Sequence, residues 1–374
     1  MSTHTHHYAH VHGLRLHYVT QGEGAPVLLI PGWPQTWYTW RHVMAALADN
    51  HRKLRVLAWP GYADPDVVQT FERRTGAKVE VSFIDSDDAL WQRMNAQGGR
   101  DFDVFAANTA ELQRYIAAGL VAAVDPQRLP RRAAQLPRFR DLHTVPGLVH
   151  GDTAYAIPYT YAEMGLIHDR RRLPQAPTSI AALWDAKWRG QVLAYNAGVH
   201  NFSLAALALG LPSPFQLRAA DWAPVVDHLI ALRRNVQGFY TQPEESVRLF
   251  KARGAALMFA NYGSQQVKLL EAAGVDVGYV VPREGALAWL DCWAITRRST
   301  QVALATEWIN YMLDPSVSRE LTRRQGLANT LEEPPALSGD APAGAIVWLE
   351  PVEDEARRAQ LWQRILSGDR PNRF

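Results

Sequence analysis

The segment ALAWLDCWAI, residues 286–295, places a carboxylate between two indoles. If the segment is a strand, its side chains alternate between faces, so Trp289, Asp291 and Trp293 share one face. Such a face can bind an ammonium group, because each cation–π contact contributes about 0.5–2 kcal/mol and the carboxylate supplies a counter-charge. The alternative is a core strand in which Asp291 pairs with an arginine, since a buried carboxylate without a partner is costly.

The bulk composition favours a small ligand. A chain of 374 residues exceeds one ordinary core, so we expect two or more domains. Its 39 basic and 37 acidic residues leave a formal charge of +2, which provides no electrostatic surface for nucleic acid or membrane lipid. We therefore predict no nucleic-acid partner.

The single cysteine, Cys292, excludes an intrachain disulfide and a cysteine-based zinc cluster. The histidines of the opening MSTHTHHYAHVHG lack the fixed geometry that a metal site needs, so neither a metal nor a cofactor is predicted. No apolar run reaches the 18 or so residues of a membrane span, and the first residues lack the pattern of a secretory signal. We therefore predict no direct membrane insertion and identify no visible export signal.

From residue 54 onward, strand and helix patterns alternate. KLRVLAW predicts a strand, and DPDVVQTFERRTG predicts a helix with Asp64 as N-cap, Pro65 at its first position and Gly76 just past its end. Such alternation is typical of parallel strands joined by crossover helices. Ligands collect at the carboxyl ends of such strands, which here are residues 59–62, 85–87 and 108–109.

Residues 11–48 have a different character. They predict a strand, a glycine-rich turn, an apolar strand at Val27–Ile30, a Gly/Pro loop and a helix. This order resembles the opening of an α/β-hydrolase of the dehalogenase and epoxide-hydrolase branch. That fold needs a nucleophile elbow, G-x-S-x-G or G-x-D-x-G, and we predict that the chain has none. Residues 1–50 are interpreted as a fused or relic segment, and a hydrolase-family enzyme is the disfavoured alternative.

Four segments in chain order carry a second resemblance: IPYTYAEMGLIHD, TSIAALWDAKWRGQV, EGALAWLDCWAI and ATEWINYMLDPSVSREL. Together they resemble the spermidine/putrescine-binding branch of bacterial extracellular solute-binding proteins, the capture subunits of ABC importers. The resemblance covers about residues 54–330. It implies a non-enzymatic periplasmic protein that binds polyamines or a related small cationic amine and docks on the membrane subunits of an ABC transporter.

The resemblance also implies the α/β fold of a type II periplasmic binding protein, with two lobes and an interlobe ligand cleft. After the segment 1–50, lobe 1 would comprise residues 54–161 plus about 290–337. Lobe 2 would comprise residues 162–289 plus about 338–374. A third functional hypothesis is an amine-binding protein without a role in transport.

In polyamine-binding relatives, an aromatic residue followed two positions later by Asp contributes to an amine site. Trp289 and Asp291 match that pattern. The other ligand contacts that the resemblance implies are Trp59, Tyr62, Asn108, Thr109, Tyr161, Asn261 and Tyr262.

The stretch after the strand VLAYN departs from the family, because relatives usually carry further carboxylates there. This chain instead has Tyr195, Asn196 and His200, with no acid from residue 195 to 200. A single-headed amine therefore fits better than a diamine, with Asn196, His200 or Asn108 bonding its other end. The alternative is that the asparagines cap turns and that His200 is a structural residue.

Overall fold

The computed structural model describes residues 4–22, 26–50, 53–333 and 346–368. The strands are β1 Thr5–Val11, β2 Leu14–Thr20, β3 Lys53–Ala58, β4 Lys78–Phe83, β5 Val104–Asn108, β6 Val149–His150, β7 Thr153–Ala154, β8 Ala156–Met164, β9 Leu166–Asp169, β10 Val192–Tyr195, β11 Val236–Tyr240, β12 Leu257–Phe259, β13 Val277–Val280, β14 Ala286–Ile295, β15 Ala328–Asn329 and β16 Ile346–Trp348.

The α-helices are α1 Arg41–Asn50, α2 Pro65–Thr75, α3 Asp87–Asn95, α4 Thr109–Ala117, α5 Pro137–Arg140, α6 Gly198–Ala208, α7 Trp222–Asn235, α8 Pro243–Ala252, α9 Ser264–Ala272, α10 Val302–Met312, α11 Pro315–Gln325 and α12 Glu355–Ser367. Short 3-10 helices occupy Trp37–Trp40, Ala96–Gly98, Pro126–Arg128, Pro130–Ala134, Leu142–Thr144, Ile180–Trp184, Ala186–Trp188 and Ala219–Asp221.

The chain divides into two compact units. Unit 1 comprises residues 1–105 and 295–308, and unit 2 comprises residues 106–294 and 309–374. The lobe boundaries drawn from the sequence lie at other residues and stay a prediction.

Unit 1 contains the parallel strands that the alternating pattern predicts. β3 pairs in parallel with β4 and with the start of β5. Helix α2 follows the predicted signals, because Pro65 opens it and Gly76 ends it in the left-handed region at φ 67°. Its buried face packs Phe71 edge-on against Trp308, with ring centroids 5.1 Å apart.

Unit 2 contains a five-stranded sheet in the order β11-β10-β12-β9-β13. β10 runs parallel to β11 and β12, whereas β9 is antiparallel to β12 and β13. The long strand β8 leads into β9 and pairs antiparallel with β14 and β15. Helices α6 and α7 supply apolar side chains to the core over one face of this sheet, including Phe202, Val225 and Leu229.

The β8–β14 pairing changes the expected role of one indole. Trp289 lies opposite Ala162 and Asp291 opposite Thr160, and the register then shifts between Asp291 and Cys292. Beyond the shift, Trp293 is fully buried beside Tyr159, with ring centroids 5.6 Å apart. Trp289 is only partly buried. The two indoles therefore lie in different surroundings.

The N-terminal residues form a two-stranded antiparallel hairpin, β1 with β2. The strand predicted at Val27–Ile30 is wrong, because residues 26–32 adopt no strand. No strand within the described part of the chain pairs with these residues, and Leu28 is 84% exposed. An apolar run forms a strand only where another strand takes up its backbone hydrogen bonds.

Two helix boundaries can be compared with those predicted from the sequence. The helix predicted from Phe202 begins earlier, at Gly198. The pair of helices predicted to divide at Asp314–Pro315 is confirmed, because α11 begins at Pro315 and Asp314 caps it by accepting from the Ser316 amide at 3.0 Å. Among the described helices, none is both long enough and apolar enough to cross a bilayer.

Candidate ligand site

Four elements of unit 2 bring predicted ligand contacts together. Tyr195 ends β10, His200 lies in the first turn of α6, Asn261 and Tyr262 follow β12, and Trp289 lies in β14. The Tyr195 ring stacks on His200 at 5.6 Å and meets the edge of Tyr262 at 5.8 Å. We call these five residues the aromatic cluster.

Asn261 is the centre of the aromatic cluster. Its side-chain Oδ1 lies 2.9 Å from His200 Nδ1, and its backbone carbonyl accepts from Trp289 Nε1 at 3.0 Å. Its backbone N–H donates to the Tyr240 hydroxyl at 2.9 Å. Because Asn261 is only 3% exposed and is bonded on three sides, it fixes the positions of His200 and Trp289.

The turn after β12 depends on a glycine. Gly263 has φ +52°, and a Cβ there would lie 2.6 Å from the Glu163 carbonyl of β8. Any other residue would therefore be strained and would push the turn away from β8. The close approach keeps Asn261 and Tyr262 against the strand pair that carries Trp289.

The aromatic cluster is electrically neutral at physiological pH. Burial lowers the pKa of His200 to about 4, partly offset by its hydrogen bond to Asn261. Burial also raises the pKa of Tyr262, and the nearby Tyr195 and Glu244 raise it further. The ring faces and the neutral imidazole can therefore bind a cation or a hydrogen-bond donor without a competing positive charge.

Asp291 lies two residues beyond Trp289 on β14 and is 5% exposed. Burial raises the pKa of the neighbouring Cys292 thiol, and the Asp291 carboxylate raises it further. The thiol is therefore protonated and unreactive. Asp291 is the one acidic side chain of β14, and its contact with a ligand stays a prediction.

Tyr161 belongs to a different group of side chains. It is fully buried, and its hydroxyl accepts from Arg138 Nη2 at 3.1 Å. Arg138 also forms a salt bridge with Glu333. Burial raises the pKa of Tyr161 to about 12. Sequence reasoning missed Arg138 and Glu333, which are 195 residues apart in the chain.

Glu163 lies close to this second group. It is partly buried, and burial raises the pKa of its carboxyl, although Arg138 opposes the rise. Glu163 lies opposite Ala288 in the β8–β14 ladder, one residue before Trp289. Because Ala288 and Trp289 face opposite sides of β14, Glu163 lies on the other face of the strand pair from Asp291.

Three predicted contacts have structural roles. Asn108 caps α4, accepting from the amides of Ala110 and Glu111 at 3.1 and 3.0 Å. Thr109 is fully buried and donates to the Leu349 carbonyl at 3.1 Å. Asn196 accepts from Trp362 Nε1 at 2.9 Å. Capping was the alternative weighed for the two asparagines, and a ligand contact at these positions stays a prediction.

Trp59 and Tyr62 lie in unit 1 just after β3. The Tyr62 amide donates to the Trp59 carbonyl at 3.1 Å, which closes the turn. Tyr62 is 5% exposed. The Trp59 Nε1 has no hydrogen-bond partner among the residues that the structure describes. Their contact with a ligand stays a prediction.

The prediction that the chain lacks a G-x-D-x-G pattern is wrong. Residues 274–278 read GVDVG, with Asp276 at the nucleophile position. Gly274 follows α9, and Asp276 directly precedes β13 and forms a salt bridge of 2.9 Å with Arg170. A nucleophile elbow joins a strand to a following helix, whereas this turn joins a helix to a following strand. Asp276 is therefore a surface ion-pair residue.

A metal centre has no support in the described part of the chain. Over residues 4–22, 26–50, 53–333 and 346–368, no group of three or more His, Cys, Asp or Glu side chains could hold an ion.

Comparison with known proteins identifies the family. Residues 66–342 match the model of the bacterial extracellular solute-binding proteins. The chain belongs to this family. It is 24% identical over 353 residues to the putrescine-binding periplasmic protein PotF of Escherichia coli, covering 87% of this chain and 94% of that relative.

The fold agrees with solved structures. The spermidine/putrescine ABC transporter substrate-binding protein PotD from Streptococcus pneumoniae has a TM-score of 0.67 and 20% identity, covering 84% of this chain and 98% of that chain. The predicted α/β fold of a type II periplasmic binding protein is confirmed.

The N-terminal resemblance is also confirmed, as a short fragment. A soluble epoxide hydrolase of a Corynebacterium species is 56% identical over 46 residues, which are 12% of this chain and 16% of the hydrolase. The match is too short to carry the activity of that enzyme.

Proposed function

We propose that this chain is the substrate-binding component of an ABC importer and captures a polyamine or a related small cationic amine. The observation that carries the proposal is the strand β14, which places a buried carboxylate, Asp291, two residues from Trp289 in the aromatic cluster. Membership of the solute-binding family supports the transport role. The PotF relative, named for putrescine, supports an amine as the ligand.

Asp291 provides the counter-charge for a ligand ammonium. The indole of Trp289 and the phenol rings of Tyr195 and Tyr262 provide aromatic faces, which attract an ammonium group more strongly as water is excluded. In the type II fold, contacts from both lobes favour the closed state, and the membrane subunits of the transporter recognise that state.

The number of ammonium groups depends on a second carboxylate. No acid lies between residues 195 and 200, which favours a single-headed amine. One other carboxyl is a candidate for a second amine: Glu244, which raises the pKa of Tyr262. The ligand panel described below distinguishes these cases.

Under this proposal the protein is exported to the periplasm and does not act as an enzyme. Periplasmic action is what the names of the relatives describe, and fractionating cells that express the chain tests it directly. We also expect the protein not to turn over generic ester, epoxide or haloacid substrates, because the GVDVG turn does not form a nucleophile elbow.

The function is tested by a thermal-shift panel with a matched pair of variants. Putrescine, spermidine, single-headed amines, amino acids and neutral sugars are compared on the wild-type protein, Asp291→Asn and Asp276→Asn. A ligand at 100 times its dissociation constant adds about 2.7 kcal/mol of stability. We expect an amine to stabilise the wild type and Asp276→Asn, and to stabilise Asp291→Asn little or not at all. Equal stabilisation of both variants contradicts the assignment of Asp291.

A further inference from the structure

His200 uses only one of its two ring nitrogens in the protein. Nδ1 lies 2.9 Å from Asn261 Oδ1, while Nε2 has no hydrogen-bond partner among the described residues. The residue is partly exposed, and Nε2 is not one of the buried polar atoms that lack a partner in the described structure, so a small molecule can reach it. Its stacking on Tyr195 directs the ring without using either nitrogen.

The bond to Asn261 selects the tautomer of His200. With the Asn261 carbonyl oxygen facing the ring, Nδ1 carries the hydrogen, because a carbonyl oxygen only accepts. In a neutral imidazole the other nitrogen then holds a lone pair. The backbone of Asn261 is bonded to the Tyr240 hydroxyl and to Trp289 Nε1, which holds the residue beside His200. Nε2 is therefore a pre-positioned acceptor.

We propose that His200 Nε2 accepts a hydrogen bond from the ligand, so this end of the site takes an ammonium or hydroxyl group and rejects a carboxylate. The inference rests on the proposed function and defines which chemical group the site selects at the end of the ligand away from Asp291. A carboxylate there would bring its lone pairs against that of Nε2 with no donor between them, which costs affinity.

The ligands that test this selection share one shape. Each ligand has one ammonium group and four methylenes, and the ligands differ only in the group at the other end. That group is a methyl in pentylamine, a hydroxyl in 4-aminobutan-1-ol, a second ammonium in putrescine and a carboxylate in 5-aminopentanoate. The decisive pair is 4-aminobutan-1-ol against pentylamine, because both carry one charge. One hydrogen bond contributes about 0.5–1.5 kcal/mol, so we expect the alcohol to bind up to about tenfold more tightly.

Two variants separate a ligand contact from a structural role. His200→Phe keeps a ring against Tyr195 but loses Nε2, so the alcohol and pentylamine should bind within about twofold of each other. The control is His228→Phe, since His228 also stacks on an aromatic ring, that of Trp184, at 4.2 Å. It should keep the wild-type order of the four ligands.

The tautomer is measured independently by 15N NMR of histidine-labelled protein. We expect the His200 Nδ1 signal of a protonated nitrogen and the Nε2 signal of an unprotonated one, with Nε2 shifting when the alcohol binds. A protonated Nε2 overturns the proposal, as does equal binding of the alcohol and pentylamine to the wild type. Absence of binding by every ligand overturns the proposed function as well, whereas binding of all amines without discrimination overturns the His200 assignment alone.

Discussion

Trp33 is 98% exposed in the N-terminal segment, whereas Trp308 in helix α10 is fully buried against Phe71. The contrast extends beyond these two residues. Most of the exposed large apolar side chains in the described structure lie between residues 8 and 43. They are Tyr8, Val11, Leu14, Leu16, Tyr18, Val27, Leu28, Ile30, Trp33, Tyr38 and Val43.

The difference shows that apolar residues need partners to form a core. The 46-residue match to an epoxide hydrolase covers 16% of that protein, so the segment occurs here without most of such a chain. Residues 53–333 instead supply both faces of each contact, so their apolar side chains are buried together. A hydrophobic pattern in sequence therefore predicts burial only where the complementary elements are also present.

The largest expected effect comes from Trp308, and Trp33 provides the contrast. Trp308→Ala should lower the free energy of unfolding by about 3–5 kcal/mol, because it leaves a large cavity beside Phe71. Trp33→Ala should change it by less than about 0.5 kcal/mol, because the side chain is solvent-exposed. Urea unfolding of both variants provides the measurement. A comparable loss in Trp33→Ala would show that the N-terminal segment has a packed environment after all.

A second, intermediate effect concerns pH. Burial lowers the folded-state pKa of His200 from 6.5 to about 4. Between these values the unfolded chain binds a proton that the native protein does not, so stability falls as the pH falls through this window. The slope of the unfolding free energy due to His200 is at most about 1.4 kcal/mol per pH unit. The stability that is lost in this window is fully present above pH 6.5.

His200→Gln tests this slope against an N-terminal histidine. Its unfolding free energy, measured from pH 7 to pH 4, should fall less steeply than that of the wild type. His10→Gln lies on the exposed hairpin and should retain the wild-type slope. The explanation fails if the two variants have the same pH dependence.

Removing residues 1–50 altogether should also have a small effect. Since the described side chains of this segment include no buried residue, we expect the unfolding free energy to change by less than about 1 kcal/mol and the amine affinity to stay the same. Thermal unfolding and titration calorimetry provide the two measurements. A fall in the melting temperature of more than about 5 °C would mean that the segment stabilises the rest of the chain.

Local signals made much of the fold predictable. Asp64 and Pro65 mark the start of α2, and Gly76 marks its end. Asp314 and Pro315 mark the start of α11 in the same way. The predicted strand at Val27–Ile30 failed because a strand also requires a partner, which no local pattern encodes. The GVDVG turn shows the converse, since a pattern of five residues does not specify the elements on either side of it.

The candidate site was only partly predictable for the same reason. The spacing of Trp289 and Asp291 identified the strand. The bond between His200 and Asn261 joins residues 61 positions apart, and the Arg138–Glu333 pair joins residues 195 positions apart. Contacts between residues so far apart in the chain depend on how the strands and helices are arranged in three dimensions. The register shift after Asp291 likewise depends on pairing with β8.

The burial of Cys292 has a practical consequence for observing this protein at work. It is the single cysteine of the chain, it is fully buried, and its thiol is held protonated. Maleimide dyes react with thiolates that solvent can reach, so the native protein should give little background labelling. Cysteines introduced at exposed positions on either lobe would then carry a fluorophore pair, and ligand-driven closure could be followed in real time on the otherwise unmodified chain.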